Sequence, residues 1–258
     1  MSHLIRDLFS KATNPNTVLK AFRDPSKFTS YLRAKYKKSK LDPEEEEARR
    51  PTRLAEVLGV EESELRGYQQ ELDEFPALYD TYGERYRQLQ NAGLVGGTTS
   101  LMDARTLYVT CRAIRPDIVI ETGCRYGSFD AHICAALQKN GTGTLHSIDV
   151  PGGPERFEYG HLIPDEFREH WELHIGDSME ILPDLFEAYD SIDIFLHDSK
   201  HTADFMTREY ELGYPNLRQN GILASHDIYL NRAFQTFSER KNMEWCTVGN
   251  VGVARKDY

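Results

Sequence analysis

Five short, β-rich apolar runs between residues 117 and 227 constrain this chain most, because each carries or ends on a carboxylate. They are Asp117–Gly123 (DIVIETG, with Glu121), Thr144–Asp149, Trp171–Asp177, Ile192–Asp198 and Gly221–Asp227. Helical or irregular stretches separate them: Leu101–Ile114 reads as an entry helix and Phe129–Gln138 as the first crossover. Apolar strands alternating with amphipathic helices indicate a parallel sheet covered on both faces. In such open α/β sheets ligands bind beyond the carboxyl ends of the strands, at the topological switch point. Acidic residues at several strand ends therefore converge on one crevice. Asp also caps helices well, and capping accounts for one or two of them. Glu244–Gly249 and Gly252–Lys256 read as an antiparallel pair turned by Gly249-Asn250. The expected fold class is α/β: a Rossmann-like, doubly wound, mostly parallel seven-stranded sheet with an antiparallel C-terminal strand.

The first 95 residues differ in character. Leu4, Ile5, Leu8 and Phe9 recur at helical spacing, and Thr52–Leu58 opens another short helix. A basic run, Arg33–Lys40, meets an acidic one, Asp42–Glu47, and this reversal reads as a solvated connector. We expect residues 1–95 to be a helical region, acting as a lid or oligomerisation arm, and residues 96–258 to be the catalytic domain. A net charge of −10 argues against nucleic acid as a partner, since phosphate binding needs clustered Lys and Arg. No stretch approaches the roughly 20 apolar residues of a membrane span, and no export signal opens the chain, so a cytoplasmic address is expected. Cys111, Cys124, Cys134 and Cys246 lack metal-binding spacing, so they read as reduced thiols and no structural zinc site is expected.

The loop after the first strand reads Glu121-Thr-Gly-Cys-Arg-Tyr-Gly-Ser128. Gly123 falls where the backbone turns tightly and Gly127 where a side chain would block a ligand. A dinucleotide fold prefers G-x-G-x-x-G, and here the middle glycine is missing. A carboxylate just before the loop repels phosphates but suits a ligand bearing an ammonium and a sulfonium. Asp149 can accept hydrogen bonds from both hydroxyls of a ribose, and Asp177-Ser178 can receive an adenine amino group. The long, Pro- and Gly-rich connection Pro151–Pro164, with Phe157, Tyr159 and His161, reads as a loop that closes over an acceptor.

The combination of ETGCRYGS, HSIDV, WELHIGDSMEILPDL, IDIFLHDSKHT and GILASHDI, with Asn231-Arg-Ala-Phe234 behind it, resembles the class I S-adenosylmethionine-dependent methyltransferases. Within them it is similar to the small-molecule branch that includes macrocin O-methyltransferase and cephalosporin-hydroxylase-like proteins. The resemblance covers roughly residues 96 to 258. It implies S-adenosylmethionine as cofactor, with Glu121 and Gly123 near its methionine part, Asp149 on the ribose, Asp177 with Ser178 at the adenine, and Gly127, Ser128 and Asp198 also among the cofactor-binding residues. It further implies a divalent metal, magnesium or manganese, on Asp198 and Asp227, with His226, where many relatives carry a second acidic residue, either joining the ligand set or pointing into the core while the two aspartates bind alone. An imidazole is a poorer ligand than a carboxylate for hard magnesium.

His201, one turn after Asp198, is the candidate general base, with Asp198 as its catalytic partner; the alternative for His201 is a packing or capping role. Lys200 reads as a solvent-facing charge. A Ser199–His201–Asp198 hydrolase triad is excluded because residues this close on one segment cannot adopt nucleophile–base–orienter geometry. The expected activity is methylation of a small-molecule hydroxyl, with homo-oligomerisation compatible with the family. The competing readings are repurposed, hydroxylase-like chemistry and a non-catalytic module binding an adenosyl ligand.

Overall fold

The computed structural model describes residues 41–154 and 156–257. The expectations for Leu4–Phe9 and Arg33–Lys40 lie outside the described residues. The described chain opens with α1 (Pro43–Leu58), which starts well before Thr52 because Asp42 is its N-cap. The Asp42 carboxylate accepts from the N–H groups of Glu44 and Glu45 at 3.0 and 3.4 Å. Glu44, Glu45 and Glu46 then fill the first turn, where the helix dipole favours negative charge. The acidic run is therefore a helix start and not a solvated connector. Glu46 is buried, accepting from Arg53 at 2.8 Å and from the N–H of Gly249 at 2.9 Å.

Two further helices, α2 (Glu62–Asp73) and α3 (Pro76–Asn91), precede a 3-10 turn at Val95–Gly97 and the entry helix α4 (Leu101–Ile114). Leu54, Leu65, Leu72, Leu78 and Leu89 are fully buried in the same hydrophobic core as Leu107, Val119 and Ile133. The helices before residue 95 thus complete the core on one face of the sheet.

The sheet has seven strands in the order β3-β2-β1-β4-β5-β7-β6. They are β1 (Ile118–Thr122), β2 (Thr144–Asp149), β3 (Trp171–Ile175), β4 (Ile192–His197), β5 (Leu217–Ser225), β6 (Glu244–Val248) and β7 (Val251–Arg255). The first five are parallel, while β7 runs antiparallel to both β5 and β6. The crossover helices are α5 (Ser128–Asn140), α6 (Ser178–Ala188) and α7 (Ala203–Asn216), with α8 (Ala233–Arg240) before the hairpin. Strand side chains alternate between faces. Val119, Leu145, Ile194 and Ile222 enter one core; Ile120, Ile148, Phe195 and Leu223 enter the other.

Three strands stop just short of the expected carboxylate: β3 at Ile175, β4 at His197 and β5 at Ser225. Asp177, Asp198 and Asp227 lie in the loops beyond, and the Asp198 N–H still donates to the Thr122 carbonyl at 2.8 Å. The hairpin forms as expected, with Gly249 at φ 59° in its two-residue turn.

Candidate active site

A crevice of about 950 Å³ opens at the carboxyl ends of the parallel strands, where β1 and β4 diverge to opposite sides of the sheet. Glu121, Gly123, Ser128, Asp149, Asp177, Ser178, Asp198, His201, His226 and Asp227 all line it. Gly127 does not. It has φ 80°, and a Cβ there would meet the Gly160 Cα at 2.8 Å, so this glycine admits the 151–164 loop rather than a ligand.

Gly123, at φ 97°, lies where a Cβ would sit 2.4 Å from the carbonyl oxygen of Asp198. The β1 and β4 loops therefore touch backbone to backbone. Gly123→Ala is expected to destabilise the fold by about 1–3 kcal/mol, from strain at positive φ plus the clash. Its thermal unfolding, with a matching loss of cofactor affinity by calorimetry, checks this; a wild-type midpoint would refute it. Asp149 shapes the same loop by accepting from the N–H groups of Arg125 and Val150, both at 2.7 Å. Each carboxylate oxygen keeps a second lone pair for a ligand hydroxyl.

Glu121 is fully buried, and Asp130 from α5 is buried beside it. Burial, then the charges of Asp130 and Asp198, push the Glu121 carboxyl well above its ordinary range. Burial raises Asp130 too, against hydrogen bonds from Ser147 and other neighbours. Two adjacent buried carboxylates cannot both ionise cheaply, so the pair holds a shared proton. The Ser147 hydroxyl donates to Asp130 at 2.6 Å and the Trp171 indole N–H donates to it at 3.0 Å. A cationic group in the crevice would relieve this pair.

Asp177 is the N-cap of α6, accepting from the N–H of Met179 at 2.8 Å. Ser178 donates to Glu209 at 2.5 Å. Glu209, on α7 and fully buried, also accepts from Thr122 at 2.7 Å, from Ser199 at 3.0 Å and from His197 Nδ1 at 2.5 Å. One carboxylate thus ties together the ends of β1 and β4 and the start of α6.

His226 Nδ1 lies 2.7 Å from Asp198 Oδ1, while Nε2 lies 3.2 Å from the Thr99 hydroxyl and 3.6 Å from Asp103 Oδ2. Burial opposes charge on this ring, but Asp198 and Asp103 overcome it and raise its pKa to about 10. These two carboxylates favour the imidazolium form of His226, hydrogen-bonded to Asp198. Ligand atoms sharing one ion at about 2.1 Å lie about 3.0–3.4 Å apart; the 2.7 Å contact is a hydrogen bond. Among the described residues, the ligand atoms of Asp198, His226 and Asp227 do not gather within reach of a common ion.

His201 sits in the loop before α7, its Nε2 3.7 Å from Asp198 Oδ1 and 3.4 Å from Asp227 Oδ2. Burial lowers its pKa, Asp198 and Asp227 oppose this, and His197 and His226 add to it. It is therefore neutral at pH 7. Lys200 is exposed, its ammonium 5.5 Å from the Phe205 ring centroid.

Three carboxylates escape a reading of the sequence: Asp103, Asp130 and Glu209. Only Asp103 has a local signal, the Ser100-x-x-Asp103 capping pattern, in which Ser100 accepts from the Asp103 N–H at 3.2 Å.

Residues 120–228 match the family model described as a methyltransferase domain. Among solved structures, an O-methyltransferase from Bacillus cereus in complex with S-adenosylhomocysteine is similar at 12% identity and TM-score 0.54, covering 74% of this chain and 100% of that one. An O-methyltransferase from Streptomyces achromogenes involved in tomaymycin synthesis, in complex with S-adenosylmethionine, is similar at 13% identity and TM-score 0.53, covering 69% and 90%. A methyltransferase from Geobacter sulfurreducens is similar at 17% identity and TM-score 0.55, covering 69% and 89%. No curated protein sequence matches the chain. Residues 120–228 thus carry a methyltransferase domain, and the strand order with the crevice at the strand ends is that of the Rossmann-like methyltransferase fold.

Proposed function

We propose that the protein methylates a hydroxyl oxygen of a small molecule, with His201 as general base and without a metal in the transfer step. The observation that carries this is a neutral His201 on the crevice wall, its Nε2 3.4–3.7 Å from two carboxylates. Bound S-adenosylmethionine supplies a methyl group already activated on a sulfonium sulfur. The chain's task is then to align an acceptor and take its proton. Glu121 and Asp130 offset the ligand's positive charge, Asp149 receives the ribose hydroxyls, and Asp177 with Ser178 borders the adenine. His201 accepts the acceptor's proton, and Asp198 and Asp227 stabilise the imidazolium so formed. The His226 imidazolium holds Asp198 in place.

The acceptor side is closed by the 151–164 loop. Arg85 on α3 donates to the carbonyls of His161 and Ile163 at 3.2 and 2.5 Å and pairs with Asp165 at 2.8 Å. Tyr159 pins the loop's other end, donating to the Val150 carbonyl at 2.5 Å. We read α3 and this loop together as the lid.

No step runs through magnesium or manganese, because His226 is spent on Asp198 and Thr99. Calorimetric titration of metal-stripped protein is expected to show binding of S-adenosylmethionine and S-adenosylhomocysteine but not NAD. Once an acceptor is found by screening, turnover should survive EDTA and gain nothing from magnesium. Preference for NAD would overturn the cofactor reading, and magnesium-dependent turnover would overturn the metal-free one.

A further inference from the structure

We propose that His146, Glu172 and His174 form a second, separate site, which binds a transition-metal ion of the zinc class between β2 and β3. None of the three lines the crevice. The parallel register sets His146 opposite Glu172 and Ile148 opposite His174. Residues two apart on a strand share a face, so all three side chains project from the same side of the sheet. His146 Nδ1 lies 3.2 Å from His174 Nε2 and 3.3 Å from Glu172 Oε2, and the three ligand atoms all fall within 4.8 Å of one another.

Those lengths match the ligand spacing of a tetrahedral site. A tetrahedral zinc ion with nitrogen and oxygen ligands at about 2.0–2.1 Å has ligand–ligand edges of about 3.3–3.4 Å. Two edges of the tetrahedron are thus already formed, in contrast to the 2.7 Å contact at His226. Tyr189 Oη lies 2.8 Å from His146 Nε2, and in the tautomer where it accepts that N–H the Nδ1 lone pair is directed at the cluster. His146 is only 2% exposed, so its ring is held in place by the packing around it.

Two imidazoles and one carboxylate favour zinc, nickel or copper over magnesium or calcium. The Glu172 side chain is 61% exposed, which leaves the fourth position to water. The cysteine spacing that pointed away from zinc in the sequence speaks only to thiolate sites. A bound ion would fasten edge strand β3 to β2 just before the chain enters Gly176 and Asp177.

The test uses the full chain, stripped of metal and dialysed against zinc chloride, with bound zinc measured by plasma emission and unfolding followed with and without zinc. The wild type should hold a zinc equivalent that raises its unfolding temperature. His174→Ala and Glu172→Gln should each weaken binding by at least about tenfold and abolish the thermal shift. Asp227→Asn should keep both, which separates this site from the crevice carboxylates. Cobalt in place of zinc should give tetrahedral ligand-field bands in the wild type and not in the variants. Glu172 is exposed, so Glu172→Gln keeps the comparison valid even if His174→Ala folds poorly. Absence of zinc binding by the wild type, or unchanged binding in both variants, would overturn the proposal. Neither result bears on cofactor binding in the crevice.

Discussion

His201→Gln is expected to lower kcat by about 10²–10⁴-fold, the usual contribution of a positioned general base, while cofactor affinity stays close to that of the wild type. The ring is neutral at pH 7 because burial lowers its pKa, so it can accept a proton without first losing one. Protonation at lower pH removes that capacity. Wild-type kcat should therefore fall on an acidic limb below the ordinary histidine value of about 6.5, and His201→Gln should lack this limb. Asp198→Ala should reduce turnover in the same direction while retaining cofactor binding. It removes a carboxylate 3.7 Å from His201 and leaves the His226 imidazolium without its closest partner. Steady-state kinetics across pH, with calorimetry of each variant, decide the matter. Unchanged kcat in either variant would remove that residue from the mechanism.

The largest loss of stability is expected at Glu209, although it does not line the crevice. Glu209→Ala leaves four donors, from Thr122, Ser178, His197 and Ser199, without their shared acceptor in a buried setting. Removing one partner of a buried charged network costs about 3–5 kcal/mol. For a chain of this length that corresponds to a drop of roughly 10 °C in the unfolding midpoint. Burial raises the Glu209 pKa, but hydrogen bonds from His197, Ser178 and Thr122 outweigh it, so its folded value is lowered. Its contribution is therefore present above the unfolded value of about 4.3 and is lost as pH falls through the folded one. Calorimetric melts at pH 7 and at pH values well below 4 should show the gap between the wild type and Glu209→Ala narrowing as the pH falls. A constant gap would mean that Glu209 acts by packing alone.

Strand placement was legible in the sequence because alternation and apolar runs are local signals. Thr144–Asp149 and Leu101–Ile114 coincide with β2 and α4, and the Gly249-Asn250 turn sits where its backbone preference places it. The acidic strand ends foretold the crevice, since a parallel sheet brings every carboxyl end to one edge. The helix cap at Asp42 was hidden behind a run of charge, and Pro51 inside α1 obscured the start of that helix.

The linear pattern thus determined the sheet and its open edge, which follow from periodicity and the order of strand-end residues, while the methyltransferase reading rested on the resemblance of the motifs. Tertiary structure decided how each carboxylate is used. Asp130 shares a proton with Glu121, Asp103 and Asp198 make His226 a cation, and Gly127 serves a loop instead of a ligand. The reason is physical: a carboxyl group's protonation and partners depend on burial and on charges a few ångströms away. Those neighbours come from helices and strands far apart in the chain, and only the folded core brings them together.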